Sequence, residues 1–199
     1  MNYEIHLTVS VDPAAPELEK FKSVCETMDV KAIVIDAYPL TDVMTSFRMQ
    51  SDDQGYVFKV MTSQVLILEA HGFRVLRSKV ETDLTHPYVA NPLPNQYFES
   101  HVQVKLSDAE LQSLRELREG IDFHISSNVF KPVEDGKHIR MVTVREYHTT
   151  ADKFTRRVTA LRNVLKAEGF ELAKDLEIEF ALYDSNATHD TPWIQSRGI

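Results

Sequence analysis

The sequence predicts an α+β protein made of two copies of one strand-helix-strand-strand-helix-strand unit, each copy an antiparallel sheet with its helices on the outer face. Two observations carry that expectation. The first is an internal repeat: His6 recurs as His101, Arg48 as Arg145, Gly72 as Gly169 and Glu81 as Glu179, always in the same order and roughly 95–98 residues apart. The second is a hydrophobic period that switches between two and 3.6 residues in the same sequence within each copy.

The first copy occupies 1–83 and starts with an alternating stretch, residues 2–11, of strand type. Residues 17–28 place Leu18, Phe21, Cys25 and Met28 on one helical face. Residues 31–38 and 43–50 are strands joined at Pro39, a helix runs from about Asp53 to His71, and Phe73 to Glu81 returns as a strand. The segment 84–96, with three prolines, is a linker. The second copy occupies 97–183. Ser107 and Glu110 form a capping box ahead of Leu111, Leu114 and Leu117. Residues 121–130 and 138–147 are strands around Glu134-Asp135-Gly136-Lys137, Phe154, Val158, Leu161 and Leu165 define a helix, and Leu176 to Tyr183 is the last strand. A tail, 184–199, holds the lone Trp193 as an anchor or a cap over a groove. This element order is that of a ferredoxin-like βαββαβ unit, here duplicated into two sheets.

Composition sets limits on function. With 30 acidic and 22 basic residues and a net charge of −8, the chain is disfavoured as a binder of nucleic-acid backbones. One cysteine forms neither an internal disulfide nor a thiolate zinc site. No apolar run reaches the ~18 residues of a membrane helix, and the opening MNYEIHLTVSVD is of strand and not signal-peptide type. A cytoplasmic protein without membrane or nucleic-acid partners is the expectation, its oligomeric state left open.

Strand parity then selects the site. Side chains alternate faces, so Tyr3, Ile5, Leu7 and Val9 turn to the helices, whereas Glu4 and His6 turn away, as do Glu99 and His101 in the second copy. Ser46 and Arg48, matched by Thr143 and Arg145, fall on the same polar side, joined by Arg77, Lys79 and Glu81 and by Glu177 and Glu179. Packed face to face, the two sheets would enclose these groups in a polar cleft. Arg48, Arg145 and Lys79, with Ser46 and Thr143, suit a small anionic, phosphate-bearing ligand. His6 and His101 suit a general acid and base pair for a phosphoester hydrolase. Glu4, Glu99, Glu81, Glu177 and Glu179 orient those groups, and Glu177-Ile178-Glu179 is compatible with a divalent metal such as Mg²⁺. A non-catalytic small-molecule sensor, or a structural protein with a solvated polar face, fits the same residues.

Two resemblances follow from these residues. His6-Leu7-Thr8 resembles the His-x-Thr triplet of the two-histidine phosphoesterases, which are also bilobal; the matching triplet here is His101-Val102-Gln103. The polar set resembles the CYTH group of triphosphate-handling barrels, whose eight-stranded cavity is lined by Glu, Arg and Lys and whose opening acidic motif is matched at Glu4. Both resemblances imply phosphate chemistry.

Overall fold

A computed structural model describes residues 1–37, 39–130 and 136–192. The chain runs β1 (Asn2–Val9), α1 (Glu17–Thr27), β2 (Lys31–Ala37), β3 (Leu40–Gln50), α2 (Gln54–Ala70), β4 (Val75–Thr82), a 3₁₀ turn (Pro87–Ala90), β5 (Tyr97–Leu106), α3 (Asp108–Arg118), β6 (His124–Asn128), β7 (His138–Tyr147), α4 (Ala151–Ala167), β8 (Glu171–Leu172) and β9 (Ile178–Asp184). Glu134 and Asp135 of the expected turn, and Trp193, lie outside the described residues.

Local signals explain most element ends. Asp53 and Thr150 cap α2 and α4 by accepting from the backbone N–H of Tyr56 and Lys153, and Ser107 and Glu110 form the reciprocal capping box of α3. Both long helices end at a glycine with positive φ, Gly72 at +89° and Gly169 at +86°. There the N–H of the following phenylalanine, Phe73 or Phe170, reaches back to the carbonyl of Leu68 or Leu165 at 3.0 Å. The repeated Gly-Phe pair is therefore a helix stop.

The expected pair of separate sheets is not what forms. The strands close into one antiparallel barrel of eight, in the order β6-β2-β3-β1-β4-β9-β5-β7 and back to β6, with the two-residue β8 appended to β5. Each half on its own would leave two bare edges, β2 and β4 in the first and β6 and β9 in the second. Bare edges are unpaired rows of N–H and C=O groups. Two seams remove all four: β2 pairs with β6 through Ile35↔Asn128 and Asp36↔Ser127, and β4 pairs with β9 from Lys79↔Asp184 to Thr82↔Phe180 across a bulge. Sheet twist rolls the joined strands until the polar face is inside. Sequence pattern reports which way a side chain points along its strand. It carries no record of which edge meets which, and that is why the ferredoxin-like duplication into two sheets was the wrong architecture.

The hydrophobic core accordingly lies outside the barrel wall, under the helices. Ile5, Leu7, Val80, Val102, Val142 and Phe180 face outward onto Phe21, Leu68, Leu114, Phe154 and Leu165. Phe98 stacks on Phe154 and leans on Phe180, at 5.7 and 5.1 Å between ring centres. Truncating one such buried ring costs about 3–5 kcal/mol. Burial also pushes the Cys25 thiol up to about 12, an inert core thiol on α1. The segment 84–96 packs on the barrel: His86 lies edge-on to Tyr3, and the Gln96 side chain donates to the Leu182 carbonyl at 2.8 Å. Among the described residues no helix is long and apolar enough to cross a membrane.

Candidate functional site

Pairing register brings the matched polar residues together. Glu4 sits across from Arg48 on one side and Glu81 on the other, and His6 across from Ser46 and Lys79. In the second half Glu99 sits across from Arg145 and Glu179, and His101 across from Thr143. Closure turns both sets into one cavity of about 220 Å³, which His6 and His101 both line. A second, wider hollow of about 610 Å³ adjoins it, sharing Glu4, Arg48, Glu177 and Glu179 and adding Glu81.

In the first half Ser46 Oγ donates to Glu4 Oε1 at 2.6 Å and Arg48 Nε donates to Glu4 Oε2 at 2.7 Å. His6 has Nδ1 3.1 Å from the Thr45 carbonyl, which only accepts, so Nδ1 carries a proton. Its Nε2 faces Glu81 at 3.1 Å and Glu4 at 3.5 Å. The second half repeats the plan: Arg145 Nε donates to Glu99 Oε1 at 2.8 Å, His101 Nδ1 meets Thr143 Oγ1 at 2.8 Å, and His101 Nε2 faces Glu99 and Glu179 at 3.7 and 3.9 Å.

Lys79 joins the halves, with Nζ 2.7 Å from Glu81 and 3.0 Å from Glu99. Arg145 continues through Asp190 to Arg77, whose NH1 reaches both Asp190 oxygens at 3.0 and 2.9 Å. Arg77 also grips Asp184 with Nε and NH2 at 2.9 and 2.6 Å, and Tyr97 OH donates to that carboxylate at 2.8 Å. The result is one continuous network. Seven carboxyl groups (Glu4, Glu81, Glu99, Glu177, Glu179, Asp184, Asp190) meet four fixed cations (Arg48, Arg77, Lys79, Arg145) and two histidines.

The imbalance has to be met by protons, since buried ions without partners cost several kcal/mol each. Burial opposes charge on Glu81, but Lys79 and His6 outweigh it and hold its carboxyl at about 2. Burial likewise opposes charge on Glu99, and Arg145 and Lys79 hold it well below the usual carboxylate range. Glu179 goes the other way: burial, then the neighbouring Glu81, push it well above that range, which favours its protonated form. Burial also lowers His101, ahead of the opposing pull of Glu99. The third of the His101 side chain left open, 32%, faces the cavity.

These contacts correct the expected phosphate seat. Lys79 and Arg145 are bound by carboxylates on two sides, Ser46 is spent on Glu4, and Thr143 is spent on His101. Arg48 is 63% exposed and already held by Glu4 and Glu177. The cations expected to seat a phosphate are thus already paired with carboxylates, and the phosphate-binding expectation falls. Of the carboxylates named for Mg²⁺, Glu81 and Glu99 are tied to Lys79, Glu4 and Glu177 are tied to Arg48, and Glu179 is the one biased to its protonated form. Asp42, His189 and Asp190 bring their ligand atoms together, yet Asp190 is already gripped by Arg77 and Arg145.

Two parts of the site escaped sequence reasoning. One is the acidic pair Asp184, at the end of β9, and Asp190, in the segment beyond it whose irregular backbone gives no periodic signal. The other is an apolar wall, Ile33, Ile35, Ala37, Met44 and Met141. That wall was detectable: Ala32-Ile33-Val34-Ile35 is an unbroken apolar run, the mark of a strand covered on both faces.

Fold and interior thus define a closed eight-stranded antiparallel barrel, sheathed by helices, around an ionisable cavity with one apolar wall. No protein-family model matches the sequence, and no curated protein matches it. Among solved structures, a putative chlorite dismutase, TA0507, aligns with a TM-score of 0.31 at 10% identity, covering 90% of this chain and 93% of that one. The small subunit of acetolactate synthase from Thermotoga maritima aligns at 0.29 and 12% identity, covering 92% and 96%. An unknown protein from Galdieria sulphuraria aligns at 0.27 and 13%, covering 91% and 98%. Likenesses of this size transfer no chemistry to the barrel.

Proposed function

We propose that the barrel binds a small organic molecule with an apolar body and a cationic, amine-type head. The observation that carries this reading is Glu179, a cavity-lining carboxyl beside His101 at 3.9 Å, which burial and then the neighbouring acids Glu81, Glu4 and Glu177 bias to a protonated form that an incoming cation would displace. The apolar wall takes the body of the ligand, and a volume of about 220 Å³ limits it to a small molecule. A cytoplasmic setting is part of the same proposal. Calorimetry with short alkyl amines and with inorganic phosphate tests it. Amines bind with release of a proton, seen as an enthalpy that depends on the buffer, and Glu179→Gln weakens them by about tenfold, or 1.4 kcal/mol. Binding of phosphate with indifference to amines would overturn the reading.

A specific contact favours catalysis as a second reading. Protonated Glu179 lies 3.9 Å from His101, an imidazole that burial biases to the neutral form, so an acid and a base stand side by side facing the ligand. Proton transfer on the bound amine is the reaction class, with His6 a second imidazole lining the same cavity. Replacing His101 or His6 by Gln then lowers turnover by about 10²-fold while affinity changes little. Turnover indifferent to both replacements removes the catalytic reading and leaves binding alone.

A further inference from the structure

The two long helices occupy equivalent places in the two halves, are both 17 residues long, and bury matched inner faces: Val57, Met61, Gln64 and Leu68 on α2, and Phe154, Val158, Leu161 and Leu165 on α4. Packing against the barrel therefore makes the same demand on both. Their outer faces differ. Where α4 presents Lys153 and Asn163, α2 presents Tyr56 and Leu66. Tyr56 is 53% exposed, Leu66 61% and the neighbouring Ile67 41%. A surface helix that is apolar on its outer face as well as its inner one is unsatisfied in water.

We infer that the outer face of α2 is the contact between two copies of this chain, packed as an antiparallel helix pair about a two-fold axis. The charges on that face specify the occupant. Between Asp53 and His71 the helix carries one cation, Lys59, and one anion, Glu69, and both are exposed on the same stripe as Leu66. Positions 59, 62, 66 and 69 follow the spacing of one helical face. An antiparallel copy centred between the two charges sets Lys59 opposite Glu69 of the partner subunit, and the two-fold axis makes that pairing twice. Thr62 and Ser63, both small and exposed, lie at the centre, where the backbones approach most closely. A surface that is complementary to itself is the requirement of a two-fold interface. A parallel copy would oppose like charges.

The pair is modest in size. A helix of this length is ~25 Å long and covers less than the ~800 Å² per partner of a standard interface, so dissociation on the order of micromolar is expected. Sedimentation or light scattering of the full chain from about 1 to 200 μM should show mass rising from 22.8 kDa towards twice that value. Leu66→Glu should weaken the dimer by on the order of tenfold or more, whereas Asn163→Glu at the matched position on α4 leaves it intact. Lys59→Glu should weaken it and Lys59→Glu with Glu69→Lys restore it, which a general loss of fold would not do. Both positions are exposed, and unchanged circular dichroism confirms that each variant is folded. A monomer throughout that range overturns the inference. So does a dimer indifferent to Leu66→Glu. Loss of amide protection on α2 when 193–199 are removed from a monomer would show that the chain covers its own helix, and overturns it equally.

Discussion

Arg48 and Arg145 hold matched places on β3 and β7, each with Nε on the glutamate opposite, at 2.7 and 2.8 Å. Arg48 nevertheless stands 63% exposed, while Arg145 is 5% exposed. The glutamates on the far side of each histidine diverge further, since the Glu81 carboxyl is held down at about 2 and its match, Glu179, is pushed well above the usual carboxylate range. Residue type is the same in both halves, so the environment makes the difference. Two features supply it. Lys79, the cation that ionises Glu81, corresponds in the repeat to Glu177, an anion that helps to keep Glu179 neutral. The chain beyond β9 also folds back: Ser185 exchanges hydrogen bonds with the Ser78 backbone at 2.8 and 3.0 Å, His189 meets Asp42 at 2.8 Å, and Asp190 enters between Arg77 and Arg145. At the equivalent point the first copy runs on into 84–96 and sends no carboxylate inward to Arg48.

The contrast between the two arginines is broken most directly at their carboxylates. Asp190→Ala leaves Arg77 and Arg145, both 5% exposed, without a shared counterion. Removing one partner of a buried pair costs about 3–5 kcal/mol. Glu177→Gln takes a carboxylate from exposed Arg48 and should cost less than about 1 kcal/mol. Urea denaturation of the two variants measures both. Equal losses would mean that the enclosure of the second half is unimportant.

A smaller effect, opposite in sign between the halves, is expected in the pH dependence of stability. Glu81 titrates in the unfolded chain near ~4.3, and its folded value is depressed. Its stabilisation is therefore complete above that pH and is lost as pH falls towards about 2. Glu179 has a raised folded value, so its contribution is complete below ~4.3 and is lost as pH rises through the folded pKa. Glu81→Gln should lower stability at pH 7 and flatten the acid limb. Glu179→Gln should make stability at pH 8 equal to or greater than that of the parent chain. Thermal melts from pH 3 to 9 resolve the two, and a shared direction of change would dissolve the assigned asymmetry.

Much of the polar interior was legible without coordinates. The period-two alternation in residues 2–11 and 97–106 separates Glu4, His6, Glu99 and His101 from the apolar face, and the repeat aligns Ser46 with Thr143 and Arg48 with Arg145. Backbone geometry fixes which way a strand residue points, and that information is local. The capping residues and the Gly-Phe helix stops were readable on the same ground. Less legible was the apolar wall, because Ile33 and Ile35 read equally as core until it is known that β2 has a cavity on its other side.

The repeat can be read directly from the chain, and so can the order of elements within each copy and the division of side chains between an apolar and a polar face, because the latter two depend on neighbours a few residues apart. The meeting of β2 with β6 and of β4 with β9, which turns two sheets into one barrel, belongs to the folded molecule. The tertiary structure alone brought Asp190 to Arg77 across 113 positions, paired the cations expected to hold phosphate with carboxylates, and set Glu179 where burial and neighbouring acids oppose its charge. Edge pairing, ion-pair partners and the desolvation of a charge all depend on groups distant in sequence, and their energies exist only once the barrel has closed.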